Sequence, residues 1–267
     1  MKRSLSFKIG AIIAAIVLAT AVLSLFWTPY DPTAMDIAAK NQAPSLLHLF
    51  GTDNYGRDIL SRVMQGTATT VFIAAATVLI GGAAGTAAGL FSGYVGGIAD
   101  AVIMRVCDVL LSFPSILLAL IIVGITGTGK SSIIIALSIL FVPSFARMAR
   151  AETMKIKRMA YVESAVTLGA SPGHIMTFHI LPNMRTTLLN TFAIGFNNAV
   201  LAESGMSYLG LGVQPPDSSL GRMLSEAQSY LLAAPWYAIF SGIAIIIIVL
   251  AFSLISDAGQ SKRDIVN

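Results

Sequence analysis

The stretch GITGTGKSS, residues 124–132, has the spacing of a phosphate-binding loop. In the pattern G-x-x-x-x-G-K-S, backbone amides and the lysine hold the phosphates of a nucleotide, and the serine hydroxyl holds Mg²⁺. An apolar run precedes the motif and another follows it, as a strand and a helix would. The pattern therefore predicts an ATPase site if this segment faces a compartment that contains ATP.

The composition is typical of a membrane protein. Of the 267 residues, 55% are hydrophobic and only 11% are charged, whereas soluble domains carry roughly 25% charged residues. So few charges cannot cover the surface of a globule of this size. The basic residues lie between apolar runs rather than in one patch, so nucleic acid is not an expected partner. The single cysteine, Cys107, excludes an internal disulfide and a cysteine-based metal site.

Six apolar stretches are long enough to cross a bilayer as helices, which takes about 20 residues. They are residues 9–27, 69–93, 101–124, 131–149, 186–206 and 236–256. The first stretch is longer than the apolar core of a signal peptide and is interpreted as a retained helix. The sequence therefore predicts an all-α integral membrane protein with six transmembrane helices.

The distribution of lysine and arginine predicts the orientation of these spans. With the N-terminus in the cytoplasm, most of the 17 basic residues fall in inside segments. The basic residues at the chain ends are Lys2, Arg3, Lys262 and Arg263. This orientation makes residues 124–132 an external turn, where ATP is absent, and the flanking runs are too uniformly apolar for a strand and an amphipathic helix. The glycines are then turn residues, with Lys130 at the membrane interface.

Residues within the spans predict specific helix contacts. A ridge of small residues, which lets a second helix backbone approach closely, is formed by Gly81, Gly85, Gly89, Gly93 and Gly97. In the third span, Arg105 and Asp108 are three residues apart and share a helix face. They are expected to form an ion pair at the inner membrane boundary, or else part of a proton or ion relay.

The fifth span carries an unusual number of polar side chains. They are Asn190, Asn197, Asn198 and Glu203. Polar groups are costly against lipid, so these side chains should face either a watery pathway or a neighbouring helix. Beyond this span, residues 212–219 contain two prolines and predict an ordered external turn before a short helix.

The polar stretch at residues 149–185 predicts two short helices on the cytoplasmic side. Residues 151–168 have helical character, and Gly169 ends this first helix. Ser171 is a good N-cap and Pro172 suits the first position of a second helix, which should end near His179 before the Leu-Pro pair. The corner between them is either an anchor on the membrane surface or a surface that receives a partner protein.

Four motifs in this chain resemble those of permease subunits of ABC importers. ESAVTLG…HILP resembles the EAA-x3-G…LP loop of that family, with Glu163, Ala165, Gly169, Leu181 and Pro182 matching and Ser164 replacing the usual second alanine. The other three are LFGTDNYGRDILSRVMQGT, VCDVLLSFPSILLAL and SYLGLGVQPPDSSLGRML. They are similar to segments of the dipeptide/oligopeptide/nickel branch, and in particular of the shorter subunit of its permease pair.

The resemblance implies a bacterial inner-membrane, multi-pass permease with both termini in the cytoplasm that works by alternating access. It implies a second homologous permease, two cytoplasmic ATPase subunits that hold ATP and Mg, an extracellular substrate-binding protein and membrane lipid as partners. This chain itself is expected to carry no cofactor, no metal and no catalytic residue. The expected cargo is a di- or oligopeptide, and nickel or a metal chelate is the alternative.

The resemblance also assigns site residues and boundaries. ATPase coupling is expected at Tyr161, Glu163, Ser164, Ala165, Gly169, Ala170, Ile180, Leu181 and Pro182. An external loop is formed by Gly51, Thr52, Asp53, Gly56, Arg57 and Asp58; it would rest on the binding protein or the partner permease, or pack on its own bundle through an internal ion pair. The domains would be residues 1–68 with the first helix, the transmembrane core at 69–260, and the coupling loop at 150–182 within it.

Two functions of other classes remain open from the residues alone. An ion-coupled secondary transporter would use Asp100, Asp108 and Glu203, which lie near or within spans. A membrane-bound ATPase would use the glycine-rich turn at residues 124–131. Neither function explains the internal two-helix segment.

Overall fold

The computed structural model describes residues 5–260, and this part of the chain is an all-α bundle without a β-strand. Its helices are α1 (Leu5–Leu23), α2 (Ile59–Val95), α3 (Gly97–Ser112), α4 (Ser115–Thr126), α5 (Lys130–Ile156), α6 (Ala160–Thr167), α7 (Pro172–His174), α8 (Arg185–Tyr208), α9 (Leu220–Ala227) and α10 (Pro235–Gln260). The basic residues at the two chain ends, and with them the predicted position of both termini, lie outside the described residues.

Within residues 5–260, four helices are long and apolar enough to cross a membrane, namely α1, α2, α5 and α10. The pair α3 and α4 meets these criteria only when taken together, which gives up to five crossings. Helix α8 is 24 residues long but is too polar to be counted with them. The membrane bundle is therefore present, while the predicted number of six spans is not confirmed.

The third predicted span, residues 101–124, is not one straight helix. Helices α3 and α4 meet at 93° across a short break at Phe113 and Pro114. Phe113 is extended, with φ −89° and ψ 142°, because the ring of a following proline disfavours the helical conformation. The sequence contains this proline, but the apolar run is long enough for one straight span, and the break was therefore not predicted.

The glycine ridge of α2 packs directly against the backbone of α5. Each of four glycines faces a carbonyl group of α5, and these carbonyls are also four residues apart. A β-carbon would lie 2.6 Å from the Ser138 oxygen at Gly81, 2.5 Å from the Val142 oxygen at Gly85 and 2.9 Å from the Arg150 oxygen at Gly93, and Gly89 faces Ala146 still more closely. The close helix contact predicted from the sequence is confirmed for these four residues.

Gly97 does not belong to this ridge. Helix α2 ends at Val95, and Gly97 has a φ of +59° with no atom within 4 Å of a β-carbon position. The prediction was wrong here because the spacing of four residues continued in the sequence past the end of the helix.

The predicted pair between Arg105 and Asp108 is also absent. Asp108 instead accepts a hydrogen bond from Arg147 of α5 at 2.7 Å, and Arg105 is exposed. Asp100 receives two bonds from Arg150, from Nε at 2.5 Å and from Nη2 at 2.6 Å. The acidic groups of α3 thus face α5, where a guanidinium can bind a carboxylate with both nitrogens. The ion pairs tie two helices together.

Candidate functional site

The coupling segment, residues 150–182, is named after its predicted role. Helix α5 continues into it as far as Ile156, and α6 begins only at Ala160. The first helix predicted from the sequence, residues 151–168, is therefore two helices. They are separated at Met159, which is extended with φ −81° and ψ 139°.

A tight corner follows α6 at Gly169. This glycine has a φ of +83°, a conformation that costs a residue with a β-carbon about 1 kcal/mol or more. The amide of Ala170 donates to the carbonyl of Ala165 at 3.1 Å, which satisfies a free carbonyl at the helix end. The hydroxyl of Ser171 then caps the next helix by accepting from the amide of His174 at 3.3 Å.

The second helix does not end near His179, as the sequence predicted. Helix α7 continues without interruption through a π-helical stretch, Ile175–Ile180, and a 3-10 stretch, Leu181–Met184, into α8. Pro182 has no amide hydrogen for an α-helical bond. The π-helical stretch before it has a wider turn, in which the Leu181 amide donates to the Met176 carbonyl five residues back. The helix therefore continues through this point. The corner is thereby joined to a long helix of the bundle by one continuous helical rod.

One face of the coupling segment is anchored and the other is free. Val162, Ile175 and Ile180 are fully buried against residues of α2 and α5. On the opposite face, Leu168 is 88% exposed and Phe178 is 67% exposed. This apolar exposed face could accept a protein surface. Phe178 was not among the residues singled out in the sequence.

The other predicted coupling residues divide between these two faces. Those exposed are Tyr161, Glu163, Ser164, Gly169 and Pro182; those half-buried are Ala165, Ala170 and Leu181. Glu163 and Ser164 line a shallow depression together with Ala160, Thr167 and Leu168. Ile180, in contrast, contributes to the anchored face and is not accessible.

The external segment, residues 28–58, is named after its predicted side of the membrane. Gly51 and Gly56 have φ values of +76° and +77°, and both lie against backbone of the same segment. Thr52 is buried and donates to the carbonyl of Ala39. Asp58 caps α2 by accepting from the amide of Ser61 at 2.8 Å.

A buried ionic cluster attaches the external segment to the bundle. The carboxylate of Asp53 accepts bonds from Arg57 Nε and Arg62 Nη1, each at 2.6 Å. Glu226 of α9 accepts from Arg57 at 3.1 Å, from Arg62 at 3.0 Å and from the hydroxyl of Tyr237 at 2.8 Å. One alternative left open by the sequence was an internal ion pair of this loop, and in the structure Arg57 forms such a pair with Asp53.

The cluster keeps its acidic group in α9 ionised. Burial by itself raises the pKa of the Glu226 carboxyl, but Arg62, the Tyr237 hydroxyl and Arg57 together hold that pKa below its usual value. Glu226 was missed in the sequence because it lies 169 residues from its partner Arg57, and no local pattern connects them.

The four polar residues of α8 do not share one environment. Asn198 is exposed and lines a cavity of about 350 Å³ between α4, α5 and α8, with Ser115 and Ser144 among its other polar lining residues. Asn190 is half-buried. The amide of Asn197 lies against the backbone of α10, 3.2 Å from the Val249 oxygen and 3.1 Å from the Ser253 nitrogen. Glu203 is fully buried.

The glycine-rich turn at residues 124–132 connects two helices, so the strand that a phosphate-binding loop requires is absent there. Gly127 and Gly129 have φ values of +86° and +142°, as turn glycines do. Lys130 begins α5 and forms a partly exposed ion pair with Asp217 at 2.9 Å. The structure thus favours the interpretation of this stretch as a simple turn between α4 and α5.

Comparison with known proteins identifies relatives of this chain. Residues 85–261 match the family model for binding-protein-dependent transport system inner membrane components. The glutathione transport system permease protein GsiD of Pectobacterium atrosepticum is 39% identical over 259 residues, which cover 95% of this chain and 86% of the relative. GsiD of an Escherichia coli strain is 40% identical over 256 residues, covering 96% and 84%.

The fold itself is similar to that of a solved transporter. A chain of the MetNI methionine ABC transporter, in inward facing conformations, superposes with a TM-score of 0.60 at 21% identity. The match covers 78% of this chain and 98% of that one. At this identity the likeness concerns the fold alone.

Proposed function

This chain belongs to the family of binding-protein-dependent transport system inner membrane components, the permease subunits of ABC importers, and we propose on that premise that its cargo is a small peptide. The proposal is supported by the relatives at 39% and 40% identity over most of the chain, which are glutathione permeases. Glutathione is a tripeptide, so di- and tripeptides are the first substrates to test.

The observation that carries the mechanism is the rod that joins the coupling segment to α8. Its exposed face, with Leu168 and Phe178, would dock on a cytoplasmic ATPase subunit. Its buried face and its unbroken helical path would transmit a movement of the ATPase to α8. Because α8 also carries Asn198 at the edge of the cavity, the same movement would change the shape of the pathway. The complete transporter would be a heterodimer of two permeases with two ATPase subunits, and the ATPase subunits would hold the ATP and Mg.

The proposed orientation places both chain ends and the coupling segment in the cytoplasm of a bacterial cell and the external segment outside. A binding protein would deliver the peptide on the external side, and ATP binding and hydrolysis would switch the two permeases between outward and inward access. This chain would contribute half of the pathway and no bond chemistry. The proposed units are an N-terminal part at residues 1–68 and a transmembrane core at 69–260 that includes the coupling segment.

The test is uptake by the complete complex, reconstituted in proteoliposomes with its own binding protein. Labelled glutathione, a dipeptide and Ni²⁺ would be offered in parallel, each with ATP and with a non-hydrolysable analogue inside the vesicles. We expect accumulation of peptide that requires hydrolysable ATP. Accumulation of Ni²⁺ but of no peptide would reject the proposed cargo, and uptake driven by an ion gradient without ATP would reject the importer mechanism.

A further inference from the structure

The turn at residues 45–49 of the external segment exposes a group of large apolar side chains. Leu46 is 97% exposed and Leu47 is 75% exposed, and Leu49 also lies on the surface. Single apolar residues on a surface are ordinary, but several leucines together mark a site that meets a protein or a membrane. The proposed transport cycle does not use this turn.

The residue that follows the turn places it at the membrane boundary. The ring of Phe50 stacks on that of Phe240 in α10, with 4.0 Å between the ring centres and 5° between the ring planes. Phe50 also borders a groove that is lined by Thr20 of α1 and Ile243 of α10. It therefore lies between the last turn of α1 and the second turn of α10, and both helices are apolar enough to span the membrane. The turn is thus directly beside the place where these two helices leave the bilayer.

A second contact connects the turn to the chain that leaves α1. The hydroxyl of Tyr30 donates to the carbonyl of Leu47 at 2.7 Å, and the ring centres of Tyr30 and His48 are 4.7 Å apart. Tyr30 follows the exposed Trp27 by three residues. Tyrosine and tryptophan are enriched at the level of the lipid headgroups, because an apolar ring with one polar group suits that boundary. The turn is therefore continuous with the aromatic end of a spanning helix.

Several polar backbone groups of the turn are paired within the chain. The amides of Ser45 and Gly51 both donate to the carbonyl of His48, at 2.8 Å and 2.9 Å. The amide of His48 donates to the hydroxyl of Ser45 at 3.1 Å, and Tyr30 satisfies a further carbonyl. A turn that enters lipid must pair such groups internally, whereas a turn in water can leave them to the solvent.

The sequence around the turn is free of charged residues. Between Lys40 and Asp53 it contains no aspartate, glutamate, lysine or arginine. His48, the one titratable side chain in this stretch, is paired with Asp58 at 2.9 Å. Protein interfaces have a polar rim, whereas charges are costly in lipid. An apolar, uncharged turn beside two spanning helices therefore fits a lipid surface better than a protein surface.

We propose that this turn is an interfacial anchor: Leu46 and Leu47 lie in the lipid beside α1 and α10 and hold the external segment against the membrane. The buried ionic cluster holds the same segment to α2 and α9. The segment is then attached to both the helix bundle and the bilayer. The proposal requires only that α1 and α10 span the membrane, so it does not depend on the cargo, on the direction of transport or on which side the segment faces.

The test measures the surroundings of position 46 in the full complex in lipid nanodiscs. In a chain with Cys107→Ser, and with the accessible cysteines of the other subunits replaced, Leu46→Cys carries a fluorescent dye. The matched control is a dye at Ile37→Cys, because Ile37 is 77% exposed on the same segment but lies close to the exposed charges of Asp36 and Lys40. A quencher attached near the top of a lipid acyl chain and the water-soluble quencher iodide are applied separately.

We expect the lipid-borne quencher to act about fivefold more strongly at position 46 than at position 37, because interfacial apolar groups reach the boundary between headgroups and acyl chains. Iodide should show the opposite preference. Quenching of position 46 by iodide alone would place the turn in water, and protection from both quenchers would place it under a protein. Either result would overturn the proposal, and in the second case a measurement without the binding protein would tell that protein from the partner permease.

A second measurement tests whether the lipid contact holds the turn in place. The dye is moved to Leu47→Cys, and Leu46→Asp is compared with Leu46→Met. Because Leu46 is almost fully exposed, neither change disturbs packing within the chain. Leu46→Asp should shift the balance from the inserted to the free turn by about tenfold or more, since it replaces a favourable apolar burial with a costly carboxylate. Quenching by lipid at position 47 should therefore fall in Leu46→Asp and persist in Leu46→Met. Equal quenching in the two variants would show that the chain alone fixes the turn, which would reject the anchor.

Discussion

Arg62 Nη1 lies 2.6 Å from Asp53 Oδ2, and both side chains are almost completely inaccessible. This pair joins the external segment to the first turns of α2, and Glu226 extends the contact to α9. Removing one partner of a buried ion pair leaves an uncompensated charge and typically costs about 3–5 kcal/mol.

We therefore expect Asp53→Asn to lower the stability of the complex by about 3 kcal/mol, since Arg57 and Arg62 would share only Glu226. The matched control is Asp217→Asn, which removes the partly exposed pair with Lys130 and should cost less than about 1 kcal/mol. Thermal unfolding of both variants in the same detergent measures the difference. Equal effects would mean that the buried cluster contributes no more than a surface pair.

The same cluster predicts a loss of stability in acid. Because the pKa of Glu226 is lowered in the folded chain, its stabilising contribution is complete above the pKa of the unfolded chain, about 4.3. It is lost as the pH falls through the folded pKa. Unfolding temperatures measured between pH 6 and pH 3 should decline less steeply in Glu226→Gln than in the unmodified chain. Parallel curves for the two proteins would contradict this assignment.

The contact between α2 and α5 predicts a clear difference between two glycines. At Gly85 a β-carbon would lie 2.5 Å from the Val142 oxygen, whereas at Gly124 of α4 it would meet no atom within 4 Å. Alanine favours a helix interior over glycine by up to about 1 kcal/mol, so Gly124→Ala should be neutral or stabilising. Gly85→Ala should lower the unfolding temperature and the yield of the complex, because the helices must separate. A stabilising effect at both positions would show that α2 and α5 are not in close contact.

The predicted orientation can be tested at Lys130 and Leu168. In a chain with Cys107→Ser, a membrane-impermeant thiol reagent should label Lys130→Cys in intact cells. It should label Leu168→Cys, which is at an 88% exposed position, only after the membrane is opened and the ATPase subunits, which are proposed to cover this position, have been removed. The reverse pattern would place residues 124–132 in the cytoplasm and reopen the nucleotide-binding interpretation of that turn.

Features set by local sequence were the easiest to predict. The corner at Gly169 followed from a glycine before a Ser-Pro pair. A close helix contact along α2 followed from glycines four residues apart, although the spacing did not identify α5 as the partner. The family was evident from motifs such as those around Glu163 and Asp53. In each case the residues that carry the signal lie within a few positions of the feature that they predict.

Features set by distant contacts could not be predicted in this way. The partners of Asp108 and Asp100 lie on α5, and helix packing rather than spacing along α3 decides which guanidinium they meet. Glu226 likewise lies far along the chain from Arg57 and Arg62, the arginines that it pairs with. The bend at Pro114 is a different case. The proline was a local signal for a break in the helix, but the apolar run around it was long enough for one span, and one span was predicted.

The coupling role depends on the backbone of Gly169, and Gly173 provides a matched control. Gly169 has a φ of +83°, whereas the φ of Gly173 is not positive, and neither has an atom within 4 Å of its β-carbon position. Valine at Gly169 would therefore distort the corner by backbone strain alone. Valine at Gly173 would add similar bulk to the same segment without that strain.

We expect Gly169→Val complexes to contain both permeases but to bind the ATPase weakly or to hydrolyse ATP without uptake. Gly173→Val should transport at a rate close to that of the unmodified complex. Glu163→Arg, which reverses the charge on the exposed face, should weaken ATPase binding without altering the fold of the corner. Pull-down of the ATPase and peptide uptake would be measured on the same preparations. Normal uptake by both Gly169→Val and Glu163→Arg would reject the coupling role. An equal loss of uptake in Gly169→Val and Gly173→Val would show that the added bulk, and not the backbone conformation of Gly169, causes the effect.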